Sequence, residues 1–173
     1  MQHFLTFERW STGLALTLAI AFLIIAASLA MWQVTTRFVI GVPSTWSEVI
    51  TRSAMIWSVF LGVAATYRHG SMIAMEIVQR ALPGRLGLWL YLGANGLSVT
   101  FFAILFWQGW GMTERVARQT LAALEVSIAW VYAALPVGAV FAIIAILGCS
   151  LRAWSAGSST AAVEPIPDYE VSK

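Results

Sequence analysis

Long apolar runs separated by short polar connections set the frame of the chain. The first run carries no charge from Trp10 to Thr36. The second segment opens with polar and charged residues from Ser44 to Arg52 and then runs uncharged from Ser53 to Tyr67. Uncharged stretches follow from Leu86 to Thr113 and from Val126 to Leu151. A helix needs about 20 mostly apolar residues to cross a bilayer. The pattern therefore predicts an all-α integral membrane protein with four transmembrane helices, at about 10–36, 45–67, 86–113 and 126–151. The second span reaches full length only if the turns bearing Glu48 and Arg52 are counted, which sets a charge pair at or just inside the interface. Charges at that depth are costly unless paired.

The connections refine this frame. Gly41 and Pro43 predict a turn, and Ser44 or Thr45 can cap the second helix. Arg68, His69 and Gly70 end it, with glycine suited to the position after a helix. Between residues 71 and 82, Met72, Ile73, Met75, Ile77 and Val78 recur at helical spacing while Glu76, Gln79 and Arg80 fall together. This predicts a short amphipathic helix, either lying in the interface or packed on protein. Pro83 and Gly84 end it. Charges at Glu114, Arg115, Arg118 and Glu125 let the third helix continue outside the membrane or turn along its surface. Pro136 predicts a kink in the fourth span. Beyond Arg152 the composition shifts to Ser, Ala, Gly and Pro, so residues 153–173 are expected to form a disordered tail.

Composition supports the membrane assignment: 60% of the 173 residues are hydrophobic and 10% charged, against about 25% charged in soluble domains. The net charge of +2 comes from basic residues at helix ends rather than in a cluster, so nucleic acid is not an expected partner. The single cysteine, Cys149, permits no intramolecular disulfide. Neither His3 nor His69 lies in an apolar run, which argues against haem held between helices. The first run is much longer than the roughly 7 to 15 apolar residues of a signal peptide, so it is expected to stay as a membrane helix. Four spans put both termini on one side, with Arg9, Arg68, Arg80, Arg85, Arg152 and Lys173 there and Arg37, Arg52, Arg115 and Arg118 opposite. The positive-inside rule then predicts cytoplasmic termini.

The residues that could carry chemistry are few. No nucleophile–base set, metal-ligand cluster or glycine-rich phosphate loop is present, so no catalytic, cofactor-binding or metal-binding residue is assigned. A transporter working alone needs ionisable groups deep in its spans. The first apolar run has none, and the third offers Asn95 and Gln108, with Asn95 suited to an interhelical hydrogen bond. Ala134, Gly138 and Ala142, spaced by four, mark a face for close helix approach. Most tryptophans stand at depths typical of interface anchors. Glu48 and Arg52 share a helix face at the i,i+4 spacing, with Glu nearer the N-terminus as the helix dipole prefers. They are either a local surface ion pair or a contact to a second protein or to lipid headgroups.

Taken in order, these motifs resemble a family. Trp46-Ser47-Glu48, Arg52, Trp57, Phe60-Leu61-Gly62 and the basic-Gly turn at Arg68–Gly70 look like the signature of the small membrane subunit of tripartite ATP-independent periplasmic (TRAP) transporters. Met72-Ile73-Ala74-Met75-Glu76 falls where that family has a His-Ile-x-Val-Asp-like stretch. Ile128 to Gly138, with Trp130, Tyr132, Pro136 and Gly138, is similar to its last-span entry. The resemblance covers about Trp10 to Trp154. Two positions depart from the pattern: Val49 replaces the usual second acid and Met72 the usual histidine.

The resemblance implies a subunit without its own transport cycle in the bacterial inner membrane. In such systems a large permease moves an organic acid by a sodium-driven elevator motion, and a periplasmic binding protein delivers the solute. The small subunit braces the permease and contacts membrane lipid. Trp46, Glu48, Arg52, Trp57 and Gly62 are then the expected partner or lipid contacts, and Met72, Ile73, Met75, Glu76 and Arg80 the interfacial brace. Ala134, Pro136, Gly138 and Ala142 are expected at helix packing faces, and the loops around 37–44 and 114–125 can face the binding protein. The competing readings are a standalone small transporter, which needs ligand groups in the spans, and a membrane anchor of a redox enzyme, which needs a metal or haem set.

Overall fold

A computed structural model describes residues 2–41, 44–68, 85–120 and 126–156. Four helices in it are long and apolar enough to cross a membrane. The elements are α1 (Gln2–Thr35), a π-helical turn (Thr36–Ile40), α2 (Thr45–Arg68), α3 (Arg85–Val116), α4 (Ala129–Tyr132) and α5 (Ala134–Ala156). With 34 residues, α1 is about 50 Å long, well over the ~30 Å hydrocarbon core. It starts eight residues before Trp10, so Glu8 and Arg9 belong to the helix rather than to a preceding tail. The π-helical turn stops at Gly41, whose φ of 75° is left-handed and accessible to glycine at no steric cost.

The last span runs as one helical path from Ala129 to Trp154 and is disturbed where Pro136 enters it. Pro136 has no N–H for the carbonyl of Tyr132, and its ring crowds that carbonyl. Accordingly α4 ends at Tyr132 and α5 begins at Ala134, with Ala133 as the joint and Val137 N–H bonded to Ala133 O at 3.2 Å. Before α4 the chain turns back on the end of α3. Ile128 N–H donates to Gln119 O at 2.9 Å, and the Ser127 hydroxyl donates to Ala117 O at 2.8 Å. At the other end α5 runs to Ala156 with Ala153 buried, past the point at which the composition shifts. The segment at 71–82 and the tail from 157 lie outside the described residues.

The fifth helix is the axis of the assembly. Half of its spanning window is buried, against 17%, 22% and 11% for the windows in α1, α2 and α3. One core cluster joins Ala15 and Ala19 of α1, Leu61 and Ala64 of α2 and Ala145 of α5, with Phe22, Trp57 and Phe141 around it. A second joins Phe102 of α3 to Ala139, Ala142 and Ile146 of α5. Tyr67 of α2 meets Phe102 edge-on, with ring centroids 5.8 Å apart. Alanine dominates the first cluster and makes up half of the second, since burial in a bilayer gains no hydrophobic energy and close backbone approach and dispersion hold the helices instead. Large side chains such as Ile24, Leu97, Phe101 and Trp107 point outward, as the lipid-facing side of a membrane helix requires.

Candidate functional site

The start of α2 builds a compact polar opening. Ser44 precedes the helix, and Ser47 in its first turn, fully buried, donates to Ser44 O at 2.9 Å and lies 2.8 Å from Ser44 Oγ. That link ties the first turn of the helix to the residue before it. Glu48, next in the chain, points outward, and Arg52 Nη2 donates to Glu48 Oε1 at 2.9 Å. Their side chains are 62% and 75% exposed, so as a local pair they are worth only a few tenths of a kcal/mol. On a second face Gln33 Nε2 donates to Thr51 Oγ1 at 3.1 Å and ties α1 to α2 at the same end.

The five candidate contact residues divide into two groups. Trp46 is exposed in the first turn of α2, and Gly62 faces open space, since a Cβ added there meets no atom within 4 Å. Trp57 is half-buried and also serves the subunit itself. Its indole N–H donates to Trp130 O at 3.0 Å and its ring stacks on Phe22 at 5.7 Å, so one side chain joins α1, α2 and α4. Ala134, Pro136, Gly138 and Ala142 are all buried within the subunit. Gly138 lies under α2 so tightly that a Cβ there would stand 2.6 Å from Phe60 Cβ and 2.9 Å from Phe60 O. Met72, Ile73, Met75, Glu76 and Arg80 lie outside the described residues.

A cluster at the opposite end escapes the sequence reading. Arg152 Nη2 of α5 donates to both carboxylate oxygens of Glu8 in α1 at 3.1 Å, with the Glu8 side chain 1% exposed. Thr12 donates to Glu8 O at 2.8 Å from the next turn. Gly148 makes room for the carboxylate: a Cβ there would lie 2.7 Å from Glu8 Cγ. The signal available in the sequence was a pair of opposite charges at the outer ends of the first and last spans, which an even number of crossings puts on one side. Nearby, Asn95 Nδ2 of α3 donates to Ser150 Oγ of α5 at 3.1 Å. The Cys149 thiol points to Tyr67 O at 3.4 Å. This end is thus tied through α1, α2, α3 and α5.

Chemically, the arrangement joins helices. Among the described residues every buried side-chain nitrogen and oxygen has a partner. The buried Asn95 and Glu8 are spent on α5, whereas the Glu48–Arg52 pair at the mouth of α2 is exposed.

Comparison with known proteins adds two findings. Residues 26–156 match the family described as Tripartite ATP-independent periplasmic transporters, DctQ component. The chain is also similar to the sialic acid TRAP transporter small permease protein SiaQ of Vibrio cholerae serotype O1, with 29% identity over 120 residues, 68% of this chain and 69% of that protein.

Proposed function

Since the chain belongs to the DctQ component family of the tripartite ATP-independent periplasmic transporters, we propose that it braces a large elevator-type permease and moves no solute itself. As a member of this family it is a small permease subunit of a transporter, not an enzyme, and a multi-pass protein of the inner membrane. Small permease subunits of the family work with a large permease and a periplasmic binding protein. In our reading the permease takes up an organic acid on a sodium gradient after the binding protein delivers it. The relative's name attaches that protein to sialic acid, and an acidic solute of this kind is the class we propose here.

The observation that carries the reading is where the polar side chains go. Glu8, Asn95 and Trp57 each close a contact between helices of the same subunit, which suits a body that holds its shape while its partner moves. Trp46, Glu48, Arg52 and Gly62 are left on the outside of α2, and we assign them to the permease or to lipid around it. The termini are cytoplasmic in this reading, supported by the distribution of Arg and Lys. The mouth of α2 and the α3–α4 turn then face the periplasm, where the binding protein docks.

The test is uptake by proteoliposomes with an inward sodium gradient. Vesicles with subunit, permease and binding protein accumulate solute, and vesicles with the subunit alone do not. Accumulation by the subunit alone would overturn the proposal.

A further inference from the structure

Below the mouth of α2 the surface passes from charged to apolar along one line. A groove of about 660 Å³ runs between α1, α2 and the α4–α5 span, walled by Leu18, Phe22, Trp57, Leu61, Val137 and Phe141 among others. A hollow of about 380 Å³ at Glu48, Arg52 and Tyr132 adjoins it, and Val49, Ser53 and Val131 line both. From Glu48 to Leu61 the wall descends about 20 Å. A charged head joined to an apolar tail has the same order.

The charge at the mouth narrows the headgroup. Glu48 and Arg52 are 2.9 Å apart and cancel, so an anionic headgroup meets as much repulsion as attraction. A zwitterion answers both groups at once. A guanidinium has five N–H donors; the contact with Glu48 uses Nη2, and others can reach a phosphate. The carboxylate accepts from a primary ammonium, whereas a trimethylammonium has no proton to donate. The groove's volume of about 660 Å³ suits an acyl chain, whereas an α-helix about 10–12 Å across with its side chains is far bulkier along the same length.

We propose that this groove holds one phospholipid with an ethanolamine headgroup: its phosphate on Arg52, its ammonium on Glu48, and an acyl chain between Phe22, Trp57 and Phe141. The proposal rests on reading Glu48 and Arg52 as an outward contact and not on which solute the complex carries. The lipid would fill the seam between the α1–α2 pair and α5 and give the mouth of α2 a fixed surface toward its partner.

The test uses protein purified from its native membrane in mild detergent, with retained lipid identified by native mass spectrometry. Delipidated protein is then reloaded from vesicles of ethanolamine, choline or glycerol phospholipid. Wild type retains the ethanolamine lipid and rebinds it in preference to the other two. Arg52→Ala lowers retention by about tenfold, the loss of one charge-assisted hydrogen bond. Glu48→Gln keeps phosphate binding but removes the preference for ethanolamine over choline. Both side chains are exposed, and circular dichroism reports that the variants are folded. Equal retention by wild type and Arg52→Ala, preference for glycerol phospholipid, or a permease segment cross-linking into the groove through Ser53→Cys would overturn the proposal. Absence of a co-purifying permease counts against the bracing role alone, since the lipid comparison can still be read on the subunit.

Discussion

Glu8 and Arg152 are 144 positions apart in the chain and 3.1 Å apart in space, so a carboxylate on the first helix and a guanidinium on the last close the subunit on itself. The carboxylate is almost entirely buried, and the guanidinium partly so. Removing the guanidinium takes from the buried Glu8 carboxylate its charge partner, at a cost of about 3 kcal/mol. Arg152→Ala should therefore lower the melting temperature of the purified subunit markedly. Replacing both residues by Met should recover much of the loss, because no charge is then left without its partner.

Gly138 and Gly62 separate internal packing from external contact. A methyl group at Gly138 collides with the side chain and backbone of Phe60, whereas one at Gly62 meets nothing. Gly138→Ala should destabilise the subunit by about 1–3 kcal/mol as α2 and α5 are forced apart. Gly62→Ala should leave the melting temperature of the subunit unchanged and lower the yield of complex with the permease. Thermal denaturation and co-purification read the two effects independently.

Arg52→Ala removes an exposed i,i+4 pair and should change subunit stability by only a few tenths of a kcal/mol. Uptake or complex yield should nevertheless fall. Wild-type uptake together with wild-type co-purification would remove the assigned role of this residue.

Asn95 holds α3 to α5 through Ser150. Asn95→Leu leaves the Ser150 hydroxyl bonded to Ile146 O, so the expected loss is about 1 kcal/mol of stability. Uptake by the assembled transporter should scale with the amount of folded subunit and show no change in solute affinity. A changed affinity would place Asn95 on a solute path.

Several of these elements were legible in the sequence, each for a physical reason. Hydropathy exposed the four long helices, since a bilayer demands about 20 apolar residues whatever the tertiary contacts. The i,i+4 spacing of Glu48 and Arg52 is a local property, and the pair forms as spaced. Pro136 disturbs the last span as its missing N–H requires, and the disturbance falls at Ala133, whose backbone stays helical. Glu8 was passed over because the charge-free run was read as starting at Trp10, and its burial depends on Gly148 and Arg152, far away in the chain. Trp57 reads in the sequence as a partner or lipid contact, and its internal contacts are not foreseen there. Its indole turns to Phe22 and Trp130, and neither neighbour is set by local spacing.

The most direct measurement for the bracing role is affinity purification of this subunit from its native membrane in mild detergent, with identification and quantification of whatever accompanies it. A large polytopic permease in near-equal amount is the expected result. Recovery of the subunit alone or only as a homo-oligomer, with solute uptake by that preparation in liposomes, would contradict it.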